Sequence, residues 1–596
     1  MNRLFPLLAL GVVVPVSAAT IVAGPNVQVS AARGGDTHYE VLVAADPKDP
    51  KKLIVGSFLF PDSNTEGSTV VYASGDSGIT WEPTLGGNAL LETSDPAVAF
   101  GPRGEAYYLA AHLPDQGRKE RTMLFYRSPD GGKTWDKPGV FTYTDREYIT
   151  VDTTGGKNHG RIYVNGNNRV PRGVSDIVMF YSADEGRTWV GPGKREGFGR
   201  FTAGQMGNGV VASDGTFIAI IGETGRVPGN VLSATTSVDG GATFTPAVTI
   251  DQFVVGGNRK GARNNVNAQP ILAIDPGSGK FRDRLYAVWP DRRAGKSEIY
   301  FASSSDKGAT WTKGRAINDN PAADKTDQLM PTVAVNPHGV VGVMWYDRRE
   351  HPDNMGWDAR FTASVDGGAT FLPSVKISEG STHFDATMRW TALRPNTQRG
   401  VASKQKEAPG QAVQVSLNTF LFMGGDTAGI AATADGVFHP VWVDSRTGTP
   451  QVWTAAIRVG PEVKSPAPDA ALAKLDDISS ASTLELSQPR FDRANNVLTA
   501  VARVVNTSSQ ALQGPFRVRV TALTSALGDL TVTNADNNVD GVGADWAFTD
   551  AKLEAGASSD PRIVRFKLSN LRPFEDQNRY RLGLLDLNFV VLGRAP

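Results

Sequence analysis

One eight-residue phrase, Ser-x-Asp-x-Gly-x-Thr-Trp/Phe, occurs six times in this chain of 596 residues. The copies run Ser74–Trp81, Ser128–Trp135, Ser182–Trp189, Ser237–Phe244, Ser304–Trp311 and Ser364–Phe371. Their aspartates, Asp76, Asp130, Asp184, Asp239, Asp306 and Asp366, are 54, 54, 55, 67 and 60 residues apart. Recurrence on such a period leaves repeat architectures and little else. The residue types fit a turn: Ser and Asp side chains bond nearby N–H groups, Gly takes a positive φ, and the aromatic ring anchors the turn to a sheet. The phrase therefore reads as a hairpin lock with a structural role.

Around each lock lie four short runs rich in β-branched and aromatic residues. In the sixth repeat they are Pro331–Val335, Val340–Trp345, Ala359–Ser364 and Phe371–Ile377. Four-stranded antiparallel units repeated radially are propeller blades. With strands named A to D from the axis outward, A strands are expected near Tyr39, Pro96, Tyr148, Asn208, Pro270, Pro331 and Ala428. That gives seven blades, with six and one irregular insert as the alternative. The seventh has no lock and no D strand of its own. The segment near Asn26 to Ser30 is expected to supply one and so close the ring, which removes open sheet edges.

Residues 461–475 are Pro/Ala-rich and read as a linker. Beyond them, six or seven short strand-like runs from Leu484 to Val591 predict a C-terminal immunoglobulin-like β-sandwich over 476–596. The expected order is a signal peptide (1–19), the β-propeller (20–460), the linker and the sandwich, an all-β chain. The signal reading rests on Arg3, the apolar stretch Leu4–Val16 and the small residues Ser17-Ala18-Ala19, and places the protein outside the cytoplasm, secreted or periplasmic. No later segment is long and apolar enough to span a membrane.

With 61 basic and 61 acidic residues, no basic surplus points to nucleic acid. Cys is absent, which excludes disulfides and thiolate metal sites. The seven His lack zinc spacing, so no cofactor is expected. Asp536, Asn538 and Asp540 match the opening of a calcium loop, but Ala547 stands where a bidentate Glu belongs; an Asx-rich turn is the better reading.

In an A-B-C-D meander the locks share a face with the A–B turns. The B–C and D–A loops lie on the opposite face, where long insertions follow Asp251, Glu350 and Glu379. Two sets of residues mark that rim. Strand B ends in Trp289-x-Asp291-x-Arg293, Trp345-x-Asp347-x-Arg349 and Trp442-x-Asp444-x-Arg446. These arginines either clamp an anionic group or tie neighbouring blades by ion pairs. The starts of the A strands bring Glu40, Asp95, Glu147 with Tyr148, and Asp327 to matching positions. Carboxyl groups gathered there act as general acid or base, or hold a cation, or are solvated caps.

The six locks match Asp boxes, also called BNR repeats. The stretch from about residue 24 to 460 resembles the sialidase-like (neuraminidase) superfamily of secreted propellers. The resemblance implies a six-bladed glycoside hydrolase with three arginines on the substrate carboxylate, a Tyr nucleophile paired with Glu, and an Asp acid/base. It makes Arg293, Arg349 and Arg446 stand-ins for the arginine cluster, with Tyr148 and Glu147, or Tyr39 and Glu40, as the Tyr/Glu pair. Two departures stand against it. The superfamily's Phe/Tyr-Arg-Ile-Pro motif is missing between Thr20 and Ser74, where Arg33 sits in Ala-Ala-Arg-Gly-Gly, and a seventh repeat is present. The expected partner is an extracellular glycan or glycoconjugate, bound and cleaved by an enzyme or held by a non-catalytic propeller; an extracellular protein is the other candidate partner.

Overall fold

The computed structural model describes residues 19–594, except 61–66, 88–92, 113–120, 171–173, 193–202, 225–228, 255–268, 383–392, 396–414, 418–423, 462–474, 572–584 and the single positions 278, 322, 355, 426, 526 and 538. The signal-like residues 1–18, Asp426 and Asn538 thus lie outside the described residues. Among the described residues the only helix is one 3-10 turn, Ala31–Arg33, and no helix is long and apolar enough to cross a membrane.

Seven small antiparallel sheets form seven blades. Their inner strands are Thr37–Ala45, Thr93–Phe100, Asp145–Val151, Ala203–Val211, Ile271–Ile274, Gln328–Val335 and Gly429–Ala432. Each inner strand lies against the next, and the last lies against the first. The ring is therefore closed by seven. The seventh blade takes its outer strand from the other end of the propeller: Val27 and Gln28 pair with Thr454 and Trp453. Just beyond, Ala19–Ala23 pairs with Ile457–Pro461. In blade three the D strand is reduced to one bridge, Tyr181 to Val190.

Blades stack face to face, which is visible in the sequence of their B strands. Leu285–Asp291, Val341–Asp347 and Phe438–Asp444 are buried at every position, because both faces of each strand are covered. The cores lie between blades. Tyr286 and Phe301 of blade five pack with Val341 and Trp345 of blade six. Val55 and Tyr72 of blade one pack with Val441 and Val452 of blade seven, which seals the ring.

The locks close as their residue types predict. In the second, Ser128 Oγ donates to Asp130 at 2.7 Å and accepts from Gly132 N–H at 2.7 Å. Asp130 also accepts from the N–H groups of Lys133 and Thr134 and from the Thr134 hydroxyl. Gly132 sits at φ 96°. The lock aromatic reaches the preceding blade: Trp135 donates to Thr84 at 3.1 Å, and Trp189 stacks on Phe141 with ring centres 4.6 Å apart. Because Gly78 lies beside His439 and Gly367 beside Phe281, the locks share a face with the A–B turns.

From Asp476 onward two further sheets enclose one core. One orders Asp476–Asp477, Asp586–Arg594, Leu512–Thr524 and Asp545–Phe548, with Lys552–Leu553 beside it; the other orders Ser482–Asp492, Val497–Asn506, Arg562–Ser569 and Asp529–Val532. Trp546, Phe516, Val504 and Phe566 meet between them. Here burial alternates along Val497–Asn506, as it must in a strand with one covered face. This unit docks on the closing blade and its neighbours. Lys51 pairs with Asp560 at 2.8 Å, Arg565 with Glu379, and Arg490 donates to Gln28 at 3.4 Å.

Candidate functional site

On the face opposite the locks, the A strands enter the ring through β-bulges. Register shifts occur between Tyr39 and Val41, Ser94 and Ala97, Asp145 and Tyr148, Met206 and Gly209, and Leu329 and Thr332. Within them Glu40, Asp95, Arg146 and Met330 have φ of 49°, 51°, 55° and 52°. A bulge re-aims the side chains next to it, and left-handed residues other than Gly each cost about 1 kcal/mol or more. Repeating this around the axis turns successive side chains into the channel mouth.

Glu40, Asp95, Arg146, Glu147, Tyr148, Gln269 and Thr427 line one cavity of ≈ 20 Å³, room for about one water molecule. They come from blades one, two and three and from the approaches to blades five and seven, so the cavity lies on the axis. Glu147 is 3% exposed, and no other residue donates a hydrogen bond to either of its oxygens. Burial pushes its carboxyl well above the usual range, and the charges of Asp95, Asp145 and Glu40 push it the same way against the pull of its own N–H. Burial and the neighbouring carboxyl groups thus favour the protonated form of Glu147 over the carboxylate. The Tyr148 hydroxyl donates to Gln269 Oε1 at 3.4 Å, while the amide nitrogen of Gln269 is buried without an acceptor. Tyr39 is buried with its hydroxyl unpartnered, and burial raises its pKa. A neutral carboxylic acid among other carboxyl groups is the arrangement that separates acid from base roles.

The three expected arginines are arranged otherwise. Each closes a clip within its own strand end. Asp291, Asp347 and Asp444 accept from the indole N–H of Trp289, Trp345 and Trp442 at 3.1, 2.8 and 3.0 Å. The same carboxylates take Nε of Arg293, Arg349 and Arg446 at 2.9, 2.8 and 2.9 Å. Two of the guanidinium groups then reach back to the preceding blade, Arg293 to Asp251 at 3.2 Å and Arg349 to Asp319 at 2.9 Å. Arg293 and Arg446 lie over Tyr300 and Trp453, 4.4 and 4.1 Å from the ring centres. The geometry is that of blade ties; the three guanidinium groups hold three separate carboxylates.

Asp327 is 4% exposed and accepts from Arg292 and from Ser297 N–H, both at 2.8 Å. Arg348 stands beside this pair, its guanidinium held down to about 10 by burial although Asp327 and Asp353 oppose that shift. Arg146 thus lies in an inner strand, and Arg292 and Arg348 face Asp327 at the start of another; sequence reasoning passed over all three. The signal was present: Arg292 and Arg348 are the first arginines of the Trp-x-Asp-Arg-Arg runs, and Arg146 adjoins Glu147. Only the bulge and the strand twist decide which of two adjacent arginines turns inward.

In the sandwich, Asp536 accepts from Arg562 at 2.6 Å and from Ala547 N–H at 2.5 Å, and the neighbouring Asn537 accepts from Val539 N–H at 3.3 Å, as in an Asx turn. Among the described residues no group of three His, Cys, Asp or Glu is placed to hold a metal ion.

No family model matches the chain, and no curated protein matches it. Solved structures do. A protein of unknown function from Dyadobacter fermentans is 18% identical, with 55% of this chain and 94% of that one covered at a TM-score of 0.35. A Hadza microbial sialidase is 13% identical over 74% and 92% at 0.37. A leech intramolecular trans-sialidase is 13% identical over 56% and 68% at 0.38. The seven-sheet ring of this chain establishes the propeller, and those three likenesses carry no activity to it.

Proposed function

We propose that this is an exported propeller acting on glycans, a glycoside hydrolase whose acid–base chemistry sits at the axial mouth. Glu147 is the proton donor, and Asp95 and Glu40 are the carboxyl groups beside it in the cavity. The observation that supports the reading is the Glu147 carboxyl: buried, without a donor from any other described residue, and pushed toward its protonated form beside other carboxyl groups. Since the cavity has room for about one water molecule and not for a sugar ring, the glycan lies across the mouth and the Glu147 proton reaches its glycosidic oxygen through a water molecule seated there. The signal-like N-terminus supports the export half of the proposal.

The second reading, a non-catalytic glycan- or protein-binding propeller, is favoured by the clips, which leave Arg293, Arg349 and Arg446 unable to assemble one anion clamp. Hydrolysis assays on sialosides and a panel of anionic polysaccharides separate the two. Glu147→Gln is expected to lower kcat by about 10²–10⁴-fold without loss of folding. A variant as active as the parent removes Glu147 from the mechanism. A parent protein that binds glycans from the panel and cleaves none establishes the binding reading.

A further inference from the structure

A second cavity, of ≈ 320 Å³, lies away from the axis, where the sandwich meets the closing blade. Its volume falls in the range of small-molecule sites. Its walls are mixed: Trp81 and Trp453 from the propeller, Phe491 from the sandwich, and three arginines, Arg446, Arg490 and Arg565. Arg446 is paired with Asp444, which leaves donors on Arg490, Trp453 and Arg565 to account for. Arg490 is half-buried, makes one long hydrogen bond to Gln28 at 3.4 Å, and faces no carboxylate; burial alone lowers its pKa. Among the described residues the indole N–H of Trp453, a residue 8% exposed, has no acceptor, and neither has Nε of Arg565.

The two acidic groups in the cleft are already engaged. Glu379 pairs with Arg565 and accepts from Asn26 N–H at 3.1 Å. Asp492 caps its own turn, accepting from the N–H groups of Ala494 and Asn495. Burying a guanidinium without a counter-charge is costly, and so is leaving an indole N–H unsatisfied. One anionic ligand meets both needs at once.

We propose that this interdomain cleft is a binding site for a small anionic ring compound, an acidic sugar bearing a carboxylate or sulfate. Its acid group sits on Arg490, an oxygen accepts from Trp453, and its ring lies against the aromatic wall. The site is separate from Glu147 and stands whether or not the mouth is catalytic.

The test is calorimetric titration of the full-length protein with glucuronate and with galactose 6-sulfate, using acetate, inorganic sulfate and glucose as comparison probes. The acidic sugars are expected to bind; acetate, sulfate and glucose are expected to bind at least about tenfold more weakly. Arg490→Gln should weaken the acidic sugars by about 10- to 100-fold, and Trp453→Phe, which keeps the ring and removes the donor, by about 5- to 10-fold. Circular dichroism confirms that each variant is folded, and Glu147→Gln should bind as the parent does. No binding of either acidic sugar at millimolar concentration, or binding unchanged by Arg490→Gln, overturns the proposal. Equal binding of sulfate and galactose 6-sulfate overturns the sugar part and leaves a plain anion site. Loss of hydrolysis in Glu147→Gln with intact cleft binding touches neither result.

Discussion

Val27 pairs with Thr454 in antiparallel register, so the two ends of the propeller share its seventh sheet. Next to that pair the closure is reinforced by buried polar contacts. Ser30 Oγ donates to Gln451 at 2.6 Å and accepts from Val452 N–H at 3.0 Å, and Gln451 is fully buried.

Closure predicts the first outcome. Ser30→Ala leaves a buried N–H and an amide oxygen short of a partner and should cost about 1–3 kcal/mol. Removing residues 19–30 exposes a whole strand edge and should lower the melting temperature further and promote association. Thermal melting and size-exclusion chromatography read both.

The clips predict a ranking. Side-chain exposure is 3% for Arg446, 19% for Arg349 and 28% for Arg293, each against a carboxylate no more than 2% exposed. Breaking a buried pair by removing one partner costs about 3–5 kcal/mol, and exposure reduces that cost. Urea unfolding should therefore order the losses as Arg446→Ala, then Arg349→Ala, then Arg293→Ala. A double-mutant cycle should show coupling between Arg349 and Asp319 across the blade boundary.

The locks predict strain at one glycine. A Cβ on Gly132 would come 2.5 Å from Ile54 Cγ2 at a left-handed φ. Gly132→Ala should cost about 2 kcal/mol or more, and Asp130→Ala about 1 kcal/mol, in the same unfolding experiment.

Stability should depend on pH in opposite senses at two places. Burial lowers the pKa of His38 from 6.5 to about 3 and that of His439 to about 4. Their unfolded forms bind protons first, so stability present above pH 6.5 is lost as pH falls toward 3–4. Glu147 works the other way. Its folded pKa is raised, so its contribution is full below 4.5, its ordinary value, and is lost as pH rises toward the folded pKa. Glu147→Gln should accordingly melt higher than the parent at pH 7 and lose that advantage near pH 4.

Much of the fold was legible because its causes are local. A lock needs eight residues and their own side chains, and strand alternation needs a few more. The seven inner strands and the closing segment near Asn26–Ser30 could be placed on that basis. The short strands Asp545–Phe548 and Lys552–Leu553 of the sandwich were missed, being too short to show a period. The rim was legible as residue types and positions only. Glu147 stood out beside Tyr148, yet nothing in Asp145-Arg146-Glu147-Tyr148 announces which of the four turns into the channel.

The sequence by itself determined the repeat and the face on which each loop falls, because turns and strands are written in contiguous residues; it left six and seven blades open, and the closed ring of inner strands decided for seven. Tertiary structure alone decided the chemistry of the rim. Arg349 became a tie because Asp319 of the neighbouring blade is there to receive it, and Arg490 is left without a counter-ion because two sheets meet around it. The Glu147 carboxyl is pushed toward its protonated form because inner strands far apart in the chain bury it beside other carboxyl groups at one point on the axis. Those are effects of desolvation and of distance between charges, and both are properties of the packed ring.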